Sequence, residues 1–248
     1  MILDVDVKSM HLGSIGEADK DELISFVKGI CIVEESYLHH RFALYDEVVY
    51  VRRDNKLCAF QLIQTFTYED DLYIYFGPLF SRQGCFLELF FSYLQEKMTL
   101  HQDCNIHLLA EIQNPEVLLL FKGLFEDYAY PHFHHSPIAE GVKNSVLVFA
   151  NALTHIQGLD IERFTTTSKE SLYRPRTTLA PLEEWLALRN IDLSRGDCVV
   201  LYSIVPVERE ARKNLIAQLQ QGEKRLNHWK VGREEVVTLF RRGIVSDV

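Results

Sequence analysis

The 248-residue sequence predicts an α+β (α/β) fold, in which a mixed, mostly antiparallel sheet is flanked by helices and an additional α/β segment lies at the C-terminal end. Three strand-like runs between residues 48 and 76 are separated by short polar stretches, which indicates an antiparallel meander. Apolar residues at helical spacing before and after the meander predict helices on either side of it. A buried-type strand at 197–205 followed by charged helical stretches predicts the C-terminal segment.

A first helix is predicted over about residues 20 to 35. Asp19 and Glu22 have the spacing of a capping box, and apolar residues follow at helical intervals. The meander then comprises strands at 48–52, 57–66 and 72–76. The separators "RDNK" and "YEDD" are predicted to form hairpin turns, so the acidic residues Glu69 to Asp71 are interpreted as turn residues and not as paired catalytic carboxylates.

The later elements follow from the same patterns. Asn114 is predicted to cap a helix that has Pro115 in its first position and ends near Gly123. The other predicted elements are a helix over about 87–98, strands at 105–112, 145–153 and 197–205, and helices at 182–190, 207–221 and 233–242.

The polar stretch 165–181, with its two prolines, indicates a link between two parts of the chain. We therefore expect a first domain over residues 1–160, a linker or irregular segment over 161–181, and a C-terminal extension over 182–248. The extension is interpreted as completing the core, as a small second domain, or as an interface for a homodimer or another protein partner.

Composition and charge exclude several classes of protein. The formal charge is −9, and from Val207 onwards nine Lys and Arg face six Asp and Glu, so the preceding part of the chain is strongly acidic. An acidic body argues against generic nucleic-acid binding, which depends on neutralising phosphates. No apolar run reaches about 18 residues, and the first residues do not resemble a signal peptide. Five scattered cysteines without a CxxC pair indicate reduced thiols in a cytoplasmic protein.

The stretch "FGPLFSRQGCF", residues 76–86, joins the last strand of the meander to the next helix. A short strand-to-helix loop directs backbone N–H groups at whatever lies in front of the helix, and such loops often hold phosphates. The loop contains one glycine, Gly84, where a phosphate-binding loop usually has two or three.

Between residues 15 and 155 the sequence resembles the GNAT superfamily of acyl-CoA-dependent N-acyltransferases. The resemblance rests on the stretches "YIYFGPLF" and "GCFLELFFSYL" and on "IHLLAEIQNPEVLLLFKGLF" after them. It implies a GNAT-like sheet, acyl-CoA or acetyl-CoA as co-substrate, and an atypical pyrophosphate loop whose amides, with the following helix N-terminus, hold the pyrophosphate. The cofactor-binding residues it implies are Phe76, Leu79, Phe80, Ser81, Arg82, Gln83, Gly84, Cys85 and Asn114.

The sequence departs from the family pattern at three positions. Ser81 stands where the family usually has Gln or Arg, and Phe86 stands where it has Gly or Ala, so we expect the Phe86 ring to turn inward. Phe121 stands where members commonly carry a tyrosine that protonates the leaving thiolate. The resemblance then implies Tyr128 as a substitute acid and Glu111 as a base acting through a water.

Two hypotheses of function follow. The first is an N-acyltransferase that moves an acyl group from acyl-CoA, or from an acyl carrier protein, to a small-molecule or protein amine by direct attack. The second is a non-catalytic GNAT-like scaffold or binding module that has lost the acetyl-CoA site. The histidines His132, His134 and His135 are interpreted as part of a solvated loop, so no metal is expected.

Overall fold

A computed structural model describes residues 5–31, 33–82, 85–167 and 179–245 of the chain. It contains two compact units, one ending at Cys104 and the other beginning at Asn105. The predicted Gln83 and Gly84 and most of the predicted linker lie outside the described residues. Within the described part, no helix combines the length and the apolar character needed to cross a bilayer.

In its described residues, the first unit contains a four-stranded sheet and three α-helices. The strands are antiparallel throughout, in the order β1-β2-β3-β4. The elements are β1 (Val5–His11), α1 (Glu17–Lys28), α2 (Glu35–Leu44), β2 (Glu47–Arg53), β3 (Lys56–Tyr68), β4 (Asp71–Ser81) and α3 (Phe86–Leu100).

Successive side chains of a strand point to opposite faces of the sheet, and consecutive residues of β3 and β4 are apolar and buried. Both faces are therefore apolar, and helices cover both. On one face, Phe26 of α1 packs against Phe60 of β3, with ring centroids 6.0 Å apart. On the other, Phe90 of α3 packs against Phe76 of β4 at 5.6 Å.

The second unit is organised around one strand. β8 pairs antiparallel with the whole of β5 along one edge, and with β6 and β7 on its other edge. The elements are β5 (Ile106–Ile112), α4 (Pro115–Phe125), β6 (Ala129–Tyr130), α5 (Glu140–Ala152), β7 (Thr165–Thr167), α6 (Ala180–Leu188), β8 (Asp197–Val205), α7 (Arg209–Leu226) and α8 (Trp229–Val245).

The order of elements confirms the predicted GNAT-like α+β fold, with its helix, three-stranded meander, helix, strand and Asn-capped helix. Both hairpin turns are also confirmed. Asp54 and Asn55 form one, and Glu69 and Asp70 form the other, and all four residues have positive φ angles between 49° and 68°. Two successive residues of positive φ give the twist that joins antiparallel strands.

Three predicted elements were wrong. The single helix over 20–35 is two helices, and α1 begins after Gly16, so Asp19 lies in the first turn and does not cap it. The predicted strand at 145–153 lies in α5, because Val146 and Phe149 are buried on one face at helical spacing. Gly123 does not end α4, which continues to Phe125.

The prediction of domain boundaries at 160 and 182 stays a prediction. In the second unit, β8 from the predicted C-terminal segment pairs with β5 over seven residue pairs, from Ile106 with Val205 to Ile112 with Val199. β1, β6 and β7 were not predicted; they are edge segments whose short or polar sequences carry little strand signal.

Candidate functional site

The junction between β4 and α3 is fixed by backbone hydrogen bonds. β4 ends at Ser81, and the N–H of Arg82 donates to the carbonyl of Cys58 on β3 at 2.9 Å. The N–H of Cys85 donates to the carbonyl of Arg82 at 3.3 Å, and α3 begins at Phe86. The first-turn amides of α3 therefore follow closely on the end of the sheet, the arrangement in which helix N-termini bind anions.

The Phe86 side chain packs inward. It is 5% exposed, and its ring lies 5.8 Å from that of Phe90 in the next turn of α3. This agrees with the expectation from the sequence. The bulk of Phe86 is thus placed in the core of the first unit, and the N-cap residue Cys85 makes no side-chain hydrogen bond to the first turn of the helix.

The charges around the junction leave a positive balance. Glu88, in the first turn of α3, would repel an anion, but Arg53 binds its carboxylate through two hydrogen bonds of 2.7 and 3.2 Å. Arg82 is exposed and its guanidinium carbon lies 5.3 Å from the centroid of the Phe26 ring. The Ser81 hydroxyl donates to the carbonyl of Arg82 at 2.7 Å.

Cys85 is a packed thiol. Burial raises the pKa of the Cys85 thiol to about 11, although the nearby Arg53 acts in the opposite direction. At neutral pH the Cys85 thiol is therefore almost entirely protonated. The position at the helix N-terminus does not make Cys85 a nucleophile.

β4 continues beyond Phe76, where the predicted strand ended, as far as Ser81, the first residue of the predicted "SRQG" loop. Phe76 pairs with Ile63 and Leu79 pairs with Gln61, so Gly77 and Pro78 together oppose one residue of β3 and form a bulge. Bulges redirect a strand and often occur beside functional sites. Phe76 and Phe80 are buried at 3% and 9% exposure, and Leu79 is half-buried.

In the second unit Asn114 caps α4 as predicted. Its side-chain oxygen accepts a hydrogen bond from the N–H of Glu116 at 2.9 Å, and Pro115 occupies the first helical position. The role of Asn114 in holding a cofactor stays a prediction.

The two proposed catalytic residues belong to different segments of the second unit. Glu111 is half-buried on β5, and its carboxylate accepts a hydrogen bond from the hydroxyl of Thr166 on β7. Tyr128 precedes β6, is 41% exposed, and its carbonyl accepts a hydrogen bond from the Ser203 hydroxyl at 2.7 Å. β8 lies between β5 and β6. Glu111 lies opposite Val200 of β8, and Ala129, which follows Tyr128, lies opposite Ser203, three residues further along β8.

Thr166 was missed by sequence reasoning, because "TTTSKES" was interpreted as part of a polar linker. The run of β-branched threonines was the available signal for a strand. Phe121, in the position of the family tyrosine, is 4% exposed and stacks on Phe125 with ring centroids 6.5 Å apart.

The histidine segment is held by its backbone. Arg189 donates to the carbonyls of His132 and His134 at 2.9 and 3.0 Å, and the two imidazole rings stack at 5.3 Å. Burial, reinforced by the nearby Lys122, lowers the pKa of His132 to about 4. Among the residues that the structure describes, no group of three or more His, Cys, Asp or Glu side chains is arranged to hold a metal ion.

No protein-family model and no curated protein sequence matches the chain. Solved structures do match. An acyl-CoA N-acyltransferase from Pseudomonas aeruginosa is 19% identical over 48% of this chain and 86% of its own, with a TM-score of 0.35. A ribosomal-protein-alanine N-acetyltransferase from Brucella melitensis is 14% identical over 43% and 78%, with a TM-score of 0.32.

Arabidopsis thaliana Naa50, solved in complex with the bisubstrate analogue CoA-Ac-MVNAL, is 10% identical over 80% of this chain and 97% of its own. Its TM-score is 0.41. All three matches have TM-scores below 0.5 and identities below 20%. At such TM-scores and identities they assign neither a reaction nor a substrate to this chain.

Proposed function

We propose that the chain is an N-acyltransferase that transfers an acyl group from acyl-CoA to an amine by direct attack. The observation that carries the proposal is the junction of β4 and α3. There the Phe86 ring is buried, the N-cap side chain of Cys85 makes no hydrogen bond to the first turn of α3, and Arg82 adds an exposed cation. Backbone amides and a cation together suit the pyrophosphate of CoA.

The other groups at the junction support direct attack over an acyl-enzyme intermediate. Cys85 is protonated at neutral pH because burial raises its pKa to about 11. Catalysis by positioning alone is then the simplest mechanism, with the amine attacking the thioester carbonyl and CoA leaving as a thiolate. A thiolate with a conjugate-acid pKa near 8.5 is a good leaving group even without a general acid. In this proposal Glu111 receives the proton of the amine through a water, and Tyr128 is the substitute acid.

The donor is acyl-CoA, and an acyl carrier protein is the alternative donor. The five thiols, none in a disulfide, support a cytoplasmic location. The predicted dimer or partner interface in the C-terminal segment remains part of the proposal. The acceptor is a small-molecule or protein amine.

A non-catalytic scaffold is the second candidate, and one observation favours it. Phe121 is buried against Phe125 and has no proton to give, and Tyr128 lies in a separate turn beyond α4. A binding module with this fold would retain the junction of β4 and α3 without turning over an acyl donor.

The test is a thermal-shift titration with CoA, acetyl-CoA and a long-chain acyl-CoA. At a hundredfold excess over the dissociation constant, specific binding adds about 2.7 kcal/mol to the free energy of unfolding. We expect Arg82→Glu to weaken CoA binding at least tenfold, because it replaces the exposed cation with an anion. Arg209→Glu, the same change at an exposed position of α7, should leave CoA binding unchanged.

Equal CoA affinity in the wild type and in Arg82→Glu would contradict the assignment of the junction. A shift with CoA but no thiol release from acetyl-CoA across a panel of amines would favour the scaffold. The absence of any shift with all three donors would leave the carrier protein as the donor to be tested.

A further inference from the structure

Arg41, on α2 of the first unit, has an unusual environment for a half-buried arginine. Its guanidinium carbon lies 4.9 Å from the centroid of the Tyr37 ring, one turn earlier on the helix. Its Nε is enclosed and has no hydrogen-bond partner within the described protein. A buried N–H of a charged group without an acceptor is costly, so such a group is suited to receive an acceptor from outside.

The polar neighbours of Arg41 are tyrosines. Tyr45, after α2, stacks on Tyr75 of β4 with ring centroids 6.1 Å apart, and both side chains are nearly fully buried. Burial acts to lower the pKa of Arg41, but the hydroxyl groups of Tyr37, Tyr45 and Tyr75 act in the opposite direction, and the pKa lies above its ordinary value. The guanidinium therefore stays charged, with aromatic walls beside it.

A second unsatisfied group lies next to Tyr75. Gln64 of β3 is the direct cross-strand neighbour of Tyr75, and its side-chain oxygen is buried without a hydrogen-bond donor among the described residues. The tight contact of Tyr45 with the backbone of β4 is possible because residue 77 is glycine. A Cβ there would lie 2.1 Å from the Tyr45 ring. The Arg41 guanidinium is hydrogen-bonded to Tyr37, so the cluster offers one unfilled donor, the Nε of Arg41, and one unfilled acceptor, the side-chain oxygen of Gln64.

Arg52 shows what an arginine of this kind binds elsewhere in the unit. It also lies over a tyrosine, Tyr50, at 5.4 Å, and it donates to the carboxylate of Glu22 at 2.7 Å. The other half-buried arginines that the structure describes each bind a carboxylate or a backbone carbonyl: Arg53, Arg163, Arg189, Arg212, Arg225 and Arg233. Arg41 has neither kind of partner in the described chain.

The charge of the cluster selects the anion. The groups that interact most strongly with Arg41 are neutral tyrosines, so the cluster carries one positive charge. The single positive charge of the cluster neutralises the single negative charge of a carboxylate, and the two carboxylate oxygens match the geometry of the guanidinium group. A phosphate carries nearly two negative charges and would need a second cation.

We propose that Arg41, with Tyr37, Tyr45, Tyr75 and Gln64, forms a binding site for the α-carboxylate of an amino acid or of a peptide C-terminus. Arg41 binds the carboxylate, the side-chain oxygen of Gln64 accepts the N–H of the same residue, and the half-buried Tyr37 ring contacts its side chain. The site lies within the first unit and does not depend on the proposed acyltransferase activity.

The experiment is an isothermal titration of the full chain with N-acetyl-L-phenylalanine and with N-acetyl-L-phenylalanine amide. We expect the wild type to bind the acid at least tenfold more tightly than the amide. Arg41→Gln should remove this difference, whereas Arg52→Gln, which removes the other arginine lying over a tyrosine, should retain it. L-Phenylalanine distinguishes the two sources of the carboxylate. Tighter binding of the free amino acid identifies that source, and tighter binding of the acetylated form identifies a peptide C-terminus.

Equal affinity for acid and amide, no binding of either acid by the wild type, or an unchanged preference in Arg41→Gln would overturn the proposal. Where Arg41→Gln does not fold, Arg41→Lys decides instead. It keeps the charge but not the fork, and an unchanged affinity for the acid in that variant would overturn the proposal equally. The CoA-induced thermal shift of Arg41→Gln should match that of the wild type, which separates this site from the proposed function.

Discussion

Lys122 fixes the segment that follows α4. Its side chain is fully buried, and its Nζ donates to the carbonyls of Glu126, Ala129 and Pro131 at 2.8, 3.0 and 3.0 Å. The same Nζ lies 4.2 Å from the centroid of the Phe133 ring. The three carbonyl acceptors match the three N–H donors of an ammonium group. The Lys122 side chain therefore holds the backbone from Glu126 to Pro131, which includes β6.

The buried amino group of Lys122 makes stability depend on pH. Burial lowers the pKa of Lys122 to about 7, while the unfolded chain keeps this proton to near its ordinary pKa of 10.5. Between these two values the unfolded state binds more protons than the folded state, so the free energy of unfolding rises with pH. We expect it to rise between pH 7 and pH 10 in the wild type relative to Lys122→Met, measured by urea unfolding.

Lys213→Met is the control for this experiment. Lys213 is an exposed lysine on α7 paired with Glu210, and its removal should leave the wild-type pH dependence intact. Parallel pH curves for the wild type and Lys122→Met would contradict the prediction. Lys122→Met should also be less stable near pH 7, because buried carbonyls lose their donor at a cost of about 1–3 kcal/mol each.

At the scale of elements, α4 and α7 approach closely through glycines. A Cβ at Gly222 of α7 would lie 2.7 Å from both the carbonyl oxygen of Gly123 and the Cα of Leu124 on α4. A Cβ at Gly123 would in turn lie 2.7 Å from Val236 of α8. Because neither glycine has a side chain, the helices can approach this closely. Gly123 therefore serves helix packing inside α4 and does not end the helix.

Gly222→Ala should therefore destabilise the protein. Overpacking a close contact against backbone typically costs about 1–3 kcal/mol, more than the gain of up to about 1 kcal/mol from replacing a helical glycine. Gly141→Ala is the matched control on α5, because nothing lies within 4 Å of a Cβ at that position. We expect opposite signs for the two substitutions in chemical unfolding. A stabilised Gly222→Ala would contradict the close packing of α4 and α7.

Elements whose signals are local were predicted, and those that depend on distant partners were not. The hairpins follow from residues that tolerate positive φ, and the Asn114 cap and the stripe of α3 follow from their own sequences. The strand predicted at 145–153 was wrong, because β-branched propensity was overridden by burial of one helical face of α5. Gly123 was wrongly predicted to end α4, because the residues that require a glycine there lie on α7 and α8.

At the scale of the whole molecule, the candidate site likewise contains some features that the local sequence predicts and others that depend on distant residues. The inward Phe86 follows from the apolar stripe of α3. The hydrogen bond between Glu111 and Thr166 does not follow from any local pattern, because these residues come from strands on opposite edges of β8 and lie 55 positions apart. The cluster around Arg41 likewise combines α2 with β3 and β4.

The thiols give a prediction for the whole molecule. None of the five cysteines is in a disulfide; Cys85 and Cys198 are buried, and Cys31, Cys58 and Cys104 are half-buried. We expect three thiols to react rapidly with an aromatic disulfide reagent in the native protein, and all five to react in denaturant without a reductant. Cys58→Ser should reduce the rapid count to two. Fewer than five thiols in denaturant would contradict the reduced state.

The pairing of β5 with β8 also has a consequence in time. Ile112 pairs with Val199, almost ninety residues further along the chain. At a synthesis rate of roughly 5–20 residues per second, β5 emerges from the ribosome roughly 5–20 seconds before β8. The meander of the first unit joins neighbours in sequence and needs no such delay. During this interval β5, an apolar strand with its β8 edge unpaired, can pair with strands of other chains, and we expect a chaperone that covers this edge to raise the yield of folded protein.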